Sequence, residues 1–449
     1  MTDVRDSTAG SAAPGTVGPA APPSDVGENA FAPAFLSDAP VRVPASRYTS
    51  GGFAELEAER LWPKVWQVAC SLDHVSAPGD AVECRLGALS AIVVRDYEGA
   101  LRAFQNVCQH RGNTLCQGVQ RGLSELRCPY HRWAWDLQGT LREVPSRRGF
   151  GALDTAALGL VPVAVDSWGP IVFVNFDADA PSLASFLEGV PADSEWADLD
   201  EFRCVATTST EVPCNWKVIS DGFSETYHVQ GIHREMLGSM DDVHAPQRVW
   251  GRHSVSYQPY GVASPRLGPE ADDAVVWSSF CEVMGTRMGL PQAPAEAPPV
   301  PEGMTMRDLI AERIRAFQAT AGVDLGRFST DGILQLAQYN LFPNATLLVW
   351  GDMLNLLIGR PGPNPDTAEL ATYTFARAAD RDAARQPPFD LERTTESDFG
   401  TVLNADVRVL TSMQRGLHQP GFRELTLSAE ECRIINFHRN LEIQLGLRP

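Results

Sequence analysis

Apolar residues first recur at helical spacing over residues 53–65, where Phe53, Leu56, Leu61 and Trp62 stand among acids; this predicts a short amphipathic helix. From Trp66 to Asp177 the pattern changes. Short apolar runs, Ser90-Ala91-Ile92-Val93-Val94 and Pro170-Ile171-Val172-Phe173-Val174, lie between turn signals such as Asp96-Tyr97-Glu98-Gly99 and Asp136-Leu137-Gln138-Gly139. Turn residues between short apolar runs specify hairpins, so a small all-β unit is expected here. After Ala178 the patterns mix. Residues 347–350 and 370–375 read as strands, 305–319 and 402–417 as helices, and the Pro- and Ala-dense stretch 290–303 as a surface loop or lid connection. Residues 1–42, rich in Ala, Pro, Gly and Ser, read as a disordered tail. The expected organisation is a tail (1–42), an N-terminal segment with a β-domain (43–178) and a mixed domain (179–449), an α+β chain without an internal repeat.

Composition narrows the function classes. Of 449 residues, 44% are apolar, enough for a large core. Lys and Arg number 37 against 56 acids, a net charge of −19, which disfavours nucleic acids and anionic membranes. No apolar run approaches the roughly 20 residues that span a bilayer. The N-terminus shows no secretory pattern, and nine cysteines, an odd number, suit a reduced cytoplasmic protein.

Two of those cysteines sit in different company. Cys108-Gln109-His110 is followed, 17 residues on, by Cys128-Pro129-Tyr130-His131. Two Cys–His pairs on neighbouring hairpin tips suit a Rieske [2Fe–2S] cluster, with thiolates on one iron and imidazoles on the other, or a zinc ion. Zinc fingers usually group cysteines before histidines, whereas here each half is mixed, which favours the cluster.

The segments Ala103-Phe104-Gln105-Asn106-Val107-Cys108-Gln109-His110-Arg111-Gly112 and Cys128-Pro129-Tyr130-His131-Arg132-Trp133 closely resemble the Rieske loops of ring-hydroxylating non-haem iron oxygenases, α subunits. Arg132 stands where Gly is common in that family; its charge is expected to raise the cluster potential.

The resemblance implies a second, mononuclear iron site. Its best candidate segment is 215–233, where Asp221, Glu225 and His228 are spaced to share one face of a helix. His233 would lie about 140° away on a continuous helix. The helix must therefore bend or end before it, with Gly231 placed to allow that. His228 and His233 supply two ligands of a 2-His-1-carboxylate set for Fe(2+). The acid is expected to be Asp406, which shares one face of the 402–417 helix with Leu410, Met413 and Leu417; a buried acid needs a partner or a metal. Glu396 and Asp398 are the fallback acids. The plainer reading of Asp406 is a first-turn acid behind an Asn404 N-cap, and of the two histidines a core pair. In the resembling family an acid at the position of Glu225 bonds both the ligand histidine and a Rieske histidine of the neighbouring subunit, here His228 and His131. Asp221 is expected to stand near the iron.

The resemblance covers about residues 45–440. It implies a Rieske β-domain, a helix-grip (START/Bet v1-like) catalytic domain with an antiparallel sheet, and a homotrimer with or without β subunits. It further implies electrons from an NAD(P)H-dependent reductase, often through a ferredoxin. The expected reaction is O2-dependent mono- or dihydroxylation of a hydrophobic, aromatic or polycyclic molecule. The alternative within the same chemistry is monooxygenation or oxidative demethylation of a non-ring substrate such as a quaternary amine. A Rieske electron carrier without catalytic iron and a zinc-stabilised binding protein are the rivals from other classes. No nucleotide-binding glycine motif is present, so reductant must come from outside. Asp398-Phe399-Gly400 lacks every other kinase element and is set aside.

Overall fold

The computed structural model describes residues 20–22, 39–390 and 400–448. Glu396 and Asp398 lie outside the described residues, as does most of the 1–42 segment. Val41–Pro44 is a strand paired with Glu424–Leu427, and Ala20 bridges to Phe328.

The expected all-β texture between residues 66 and 177 is realised as three small sheets. One runs Leu101–Gln105, Leu89–Arg95, Ala81–Leu86, Val119–Gln120; a second runs Ala164–Trp168, Ile171–Asn175, Gln67–Ser71; the third is built from Leu126–Arg127, Ala134–Trp135 and Leu141–Glu143. Both expected turns close in the same way. Asp96 Oδ1 accepts the N–H groups of Glu98 and Ala100, and Asp136 Oδ1 those of Gln138 and Thr140. An aspartate that bonds the backbone ahead of it stabilises such a turn.

The remainder is built on an eight-stranded sheet, in the spatial order Gln247–Trp250, His253–Pro259, Gln335–Leu341, Ala345–Val349, Met353–Pro361, Ala368–Arg377, Phe202–Val212, Phe389–Asp390. All neighbours are antiparallel except the last pair. Alternate residues of these strands pack with Trp62, Trp216, Leu410, Leu417 and Leu441 into one large core, which binds helices Gly51–Arg60, Trp216–Gly222, Thr401–Leu417 and Cys432–Leu445 to the sheet. A second core joins helices Asp273–Met284 and Met306–Thr320 to Tyr260, Leu336 and Trp350. The iron site lies where the two cores meet. Among the described residues, no helix is long and apolar enough to cross a membrane.

Residues 53–65 were expected to be helical throughout; the helix is Gly51–Arg60, capped by Ser50, whose hydroxyl accepts Phe53 N–H. Tyr339 to Leu341 ends the strand Gln335–Leu341, and residues 342–344 turn into Ala345–Val349.

The sheet carries one built-in acid sensitivity. His253 is fully buried; its Nδ1 accepts Phe342 N–H (3.0 Å) and its Nε2 donates to Phe186 O (2.7 Å). Both nitrogens are occupied in the neutral ring, and burial pushes its pKa down to about 4. Between pH 6.5 and 4 the unfolded chain takes up a proton that the folded chain refuses. Stability from this group is therefore complete above about pH 6.5 and is lost as pH falls, by up to about 1.4 kcal/mol per pH unit. Urea unfolding across that range should show this slope, reduced by about one proton in His253→Gln; an unchanged slope would contradict the assignment.

Candidate iron and iron–sulfur sites

The two Cys–His loops are conformational copies. Cys108 N–H bonds Asn113 O and Gly112 N–H returns to Cys108 O; Cys128 N–H bonds Trp133 O and Arg132 N–H returns to Cys128 O. The residue four places after each cysteine takes a positive φ, 75° at Gly112 and 67° at Arg132. That conformation costs a residue with a Cβ about 1 kcal/mol or more, which explains why glycine suits the second loop too. Arg132→Gly is expected to raise stability by about 1 kcal/mol and, through the lost charge, to lower the reduction potential of the cluster. Thermal melts and a redox titration check the two effects separately, and a potential that stays put would exclude the electrostatic one.

The loops bring the four donors together as like pairs. The His110 and His131 rings lie 4.7 Å apart, and the Cys108 and Cys128 thiols are near enough for Cys128 to add to burial in raising the Cys108 pKa. Burial raises the Cys108 pKa, while the backbone N–H groups of His110 and Arg111, aimed at its sulfur, work against that. Burial, then His131 and Arg111, lower that of His110. His110 Nδ1 is buried and has no hydrogen-bond partner, as an atom meant for a metal would be. Its ring stacks on Trp133, and Tyr130 lies against His131. A single zinc ion would draw all four donors into one tetrahedron. Among the described residues, only one set of three or more His, Cys, Asp or Glu donors falls within 4.8 Å, and it lies elsewhere. Two thiols paired and two imidazoles paired fit a two-iron cluster.

That one set is His228, His233 and Asp406. The expected continuous helical face through Asp221, Glu225 and His228 does not form. Helix Trp216–Gly222 ends early, residues 223–228 turn, and a one-turn helix, Val229–Ile232, separates the histidines, with Gly231 inside it rather than at a break. The turn is held by Glu225. Its Oε2 accepts His228 N–H (2.9 Å) and its Oε1 meets His228 Nδ1 (2.6 Å), which leaves Nε2 to face inward. Burial opposes charge on His228, but the bond to Glu225 and the charges of Glu225 and Asp406 prevail and raise its pKa. His233 Nε2 lies 2.9 Å and His228 Nε2 3.9 Å from the same Asp406 oxygen. His233 Nδ1 is buried without a hydrogen bond, and Glu235 Oε1 stands 3.6 Å from it. Each histidine thus presents Nε2 to one point and has a carboxylate behind its other nitrogen, the arrangement that orients metal-bound imidazoles.

Asp406 is not a first-turn acid. Its helix, Thr401–Leu417, is capped at Gly400, not Asn404, so Asp406 stands in the second turn on the buried face. That face carries Gln414 where Met413 was expected; Met413 is exposed. The helix can approach the histidines because Gly222 has no side chain: a Cβ there would lie 2.9 Å from Leu410 Cδ2.

Asp221 departs from its expected place near the iron. With no helix continuing past Gly222, its carboxylate turns to the other side and accepts Tyr48 O–H (2.6 Å), with His438 Nε2 at 3.5 Å. It does not line the cavity described next. Its role is to bind the N-terminal and C-terminal helical segments together behind the site.

A cavity of about 640 Å3 opens beside the triad. Tyr260 and Trp350 form an aromatic corner, with ring centroids 6.0 Å apart at 72°. Glu235 and Glu282 are its carboxylates outside the set of Glu225 and the triad, and Gln292, Ala293 and Pro294 of the 290–303 loop close one side. Of these, only the 290–303 loop was marked from the sequence, as a surface loop or lid connection; Tyr260, Trp350, Glu235 and Glu282 were not singled out. Glu235 alone carried a signal, two places after a candidate ligand.

Comparison with known proteins gives this geometry a family. The pattern of the "Rieske [2Fe-2S] domain" matches residues 65–162, and that of the "Ring hydroxylating alpha subunit (catalytic domain)" matches residues 199–446, more than half of the chain. The chain belongs to the ring-hydroxylating α-subunit family and carries a Rieske [2Fe–2S] domain together with a mononuclear-iron triad. It is 29% identical over 208 residues to the glycine betaine monooxygenase oxygenase subunit of Pseudomonas aeruginosa, covering 46% of this chain and 48% of that one. It is 31% identical over 225 residues to the carnitine monooxygenase oxygenase subunit of Escherichia coli (50% and 59%) and 32% identical over 274 residues to the chloroplastic choline monooxygenase of Beta vulgaris (58% and 60%). The chain thus spans about half the length of the curated relatives it matches. In fold it is similar to a quaternary ammonium Rieske monooxygenase in complex with L-carnitine (TM-score 0.65, 18% identity, 91% and 96% covered) and to naphthalene 1,2-dioxygenase from Rhodococcus sp. bound to indole (TM-score 0.61, 18% identity, 91% and 95% covered).

Proposed function

We propose that this chain is the oxygenase component of a multi-protein system that uses O2 and external electrons to mono-oxygenate or oxidatively N-demethylate an amine. The observation that carries this reading is the cavity wall. An aromatic corner, Tyr260 and Trp350, and two carboxylates, Glu235 and Glu282, stand beside the triad. Aromatic faces and carboxylates both attract an ammonium group, whereas the carboxylates offer a hydrocarbon nothing. The aromatic or polycyclic substrate expected first from the sequence is therefore the weaker reading, and the quaternary amine the stronger. The relatives acting on betaine, carnitine and choline point the same way.

In this reading Cys108 and Cys128 hold one iron of the cluster and His110 and His131 the other, while His228, His233 and Asp406 hold the mononuclear iron. When bound, the cluster supplies single electrons and the mononuclear iron supplies open positions for O2. Glu225 keeps the proton of His228 on Nδ1 and, in the proposed trimer, links it to His131 of the partner subunit. The apolar cavity lining keeps water away from the reacting centre. Residues 43–178 then store electrons and 179–449 carry the chemistry on a helix-grip frame, with helix Cys432–Leu445 laid over the sheet. The assembly is a homotrimer in the cytoplasm, with a ferredoxin or an NAD(P)H-dependent reductase as donor.

The test is oxygen uptake by iron-loaded protein with a surrogate ferredoxin and reductase. A trimethylammonium compound should stimulate uptake and yield formaldehyde or a hydroxylated product, while naphthalene should do neither. Stimulation by naphthalene alone would restore the hydrocarbon reading.

A further inference from the structure

The cavity has a charge pattern that narrows the substrate further. Its two extra acids share one wall: Ser279 Oγ donates to Glu235 O (2.6 Å), and Glu282 follows Ser279 by one helical turn. Glu282 is exposed at the mouth and Glu235 is half-buried within. Four carboxylates line the cavity, Glu225, Glu235, Glu282 and Asp406, more negative charge than one iron(II) would balance; Glu235 stands behind His233 Nδ1 at 3.6 Å, and Glu282 meets neither histidine. Among the described residues that line the cavity there is no lysine or arginine. Arginines lie behind the wall without lining the cavity; Arg433, whose charge is felt by Glu225 and His228, donates to Gln247 Oε1 and Asn340 Oδ1. Arg287, 5.3 Å from the Trp350 ring, is held by Asp352 (2.5 and 3.0 Å), and Arg307 is held by Tyr260 O and Asp331.

A carboxylate entering this space would be opposed by Glu235 and Glu282 and would find no lysine or arginine on the lining, which is unfavourable in a low-dielectric site. An ammonium group would be drawn in at the mouth and again within. The volume, about 640 Å3, lies in the range of about 300–1,000 Å3 that encloses drug-sized ligands. Much of the wall is apolar and adaptable, including Met236, Met240, Met284 and Met353.

Resting on the amine reading above, we propose that the substrate is a net-cationic, lipophilic tertiary or quaternary amine. It has an apolar body larger than that of the small betaines and no carboxylate. Glu282 sets this preference at the entrance.

A matched ligand set tests this on the iron-loaded full chain, by anaerobic calorimetry. Phenethyltrimethylammonium is the cation, (3,3-dimethylbutyl)benzene its neutral carbon isostere, and N,N,N-trimethylphenylalanine its zwitterionic counterpart. The cation should bind at least tenfold more tightly than the zwitterion. Glu282→Gln should weaken the cation three- to tenfold and leave the neutral isostere unchanged, with iron content unaltered. Glu282→Lys should shift preference towards the zwitterion. A zwitterion that binds as tightly as the cation would overturn the proposal while leaving the amine reading intact. A neutral isostere that binds most tightly would overturn both. Equal weakening of all three ligands by Glu282→Gln would show that the residue shapes the cavity rather than selecting charge.

Discussion

Glu225→Gln is expected to retain about three irons and two labile sulfides per chain, two irons from the cluster and one from the triad, yet to lose turnover. The loss should be about 10- to 100-fold, the usual cost of removing a carboxylate behind a metal-bound imidazole. The reason lies in the two bonds of one carboxylate. Glu225 Oε1 meets His228 Nδ1 at 2.6 Å and Oε2 receives His228 N–H at 2.9 Å, so the acid fixes both the ring and the turn that carries it. A glutamine can still accept the backbone N–H, so the turn survives. It no longer offers a charged acceptor to His228 or to His131 of the partner subunit. In stopped-flow experiments the cluster of the variant should be reduced normally and re-oxidised slowly by O2 in the presence of substrate. Glu225→Asp should recover part of the rate. Re-oxidation at the normal rate in Glu225→Gln would remove Glu225 from the electron route.

Asp406→Ala is expected to lose the mononuclear iron while keeping the red-brown cluster. Iron should fall from about three to about two per chain, and product formation should fall to background. Among the described residues, Asp406 is the only carboxylate that meets Nε2 of both His228 and His233. The other acid once placed near the iron serves as a control. Asp221→Asn breaks a buried bond to Tyr48, so it should lower the melting temperature but keep the third iron. If Asp221→Asn rather than Asp406→Ala emptied the mononuclear site, the triad assignment would fall.

The two kinds of site were legible to different degrees. Cys108, His110, Cys128 and His131 could be read directly, because each loop is short, local and closed by its own backbone bonds. His228, His233 and Asp406 could be named only through resemblance and the cost of a buried acid. Nothing local says that residue 406 meets residue 233. The helical-face argument for Asp221 failed because it assumed one helix where the chain makes a helix, a turn and a further short helix. The same assumption placed the break at Gly231, whereas the chain leaves the helix at Gly222, where close contact with Leu410 excludes a side chain.

Local signals therefore sufficed for the β-texture of the first half, the Asp-Gly turns, the two cluster loops and the long helix carrying Asp406. The turns and cluster loops are closed by contacts within a few residues, and the strands and helix follow side-chain pattern and backbone preference, although the sheets pair strands as distant as Gln67–Ser71 and Ile171–Asn175. The cavity, its aromatic corner, its surplus acids and the reorientation of Asp221 arise from residues far apart in the chain. Tyr260 meets Trp350, and Asp221 meets Tyr48 and His438, only after the sheet and both cores have packed. Substrate preference depends on which charges that packing leaves facing the cavity and which, like Arg287, it pairs away behind the wall.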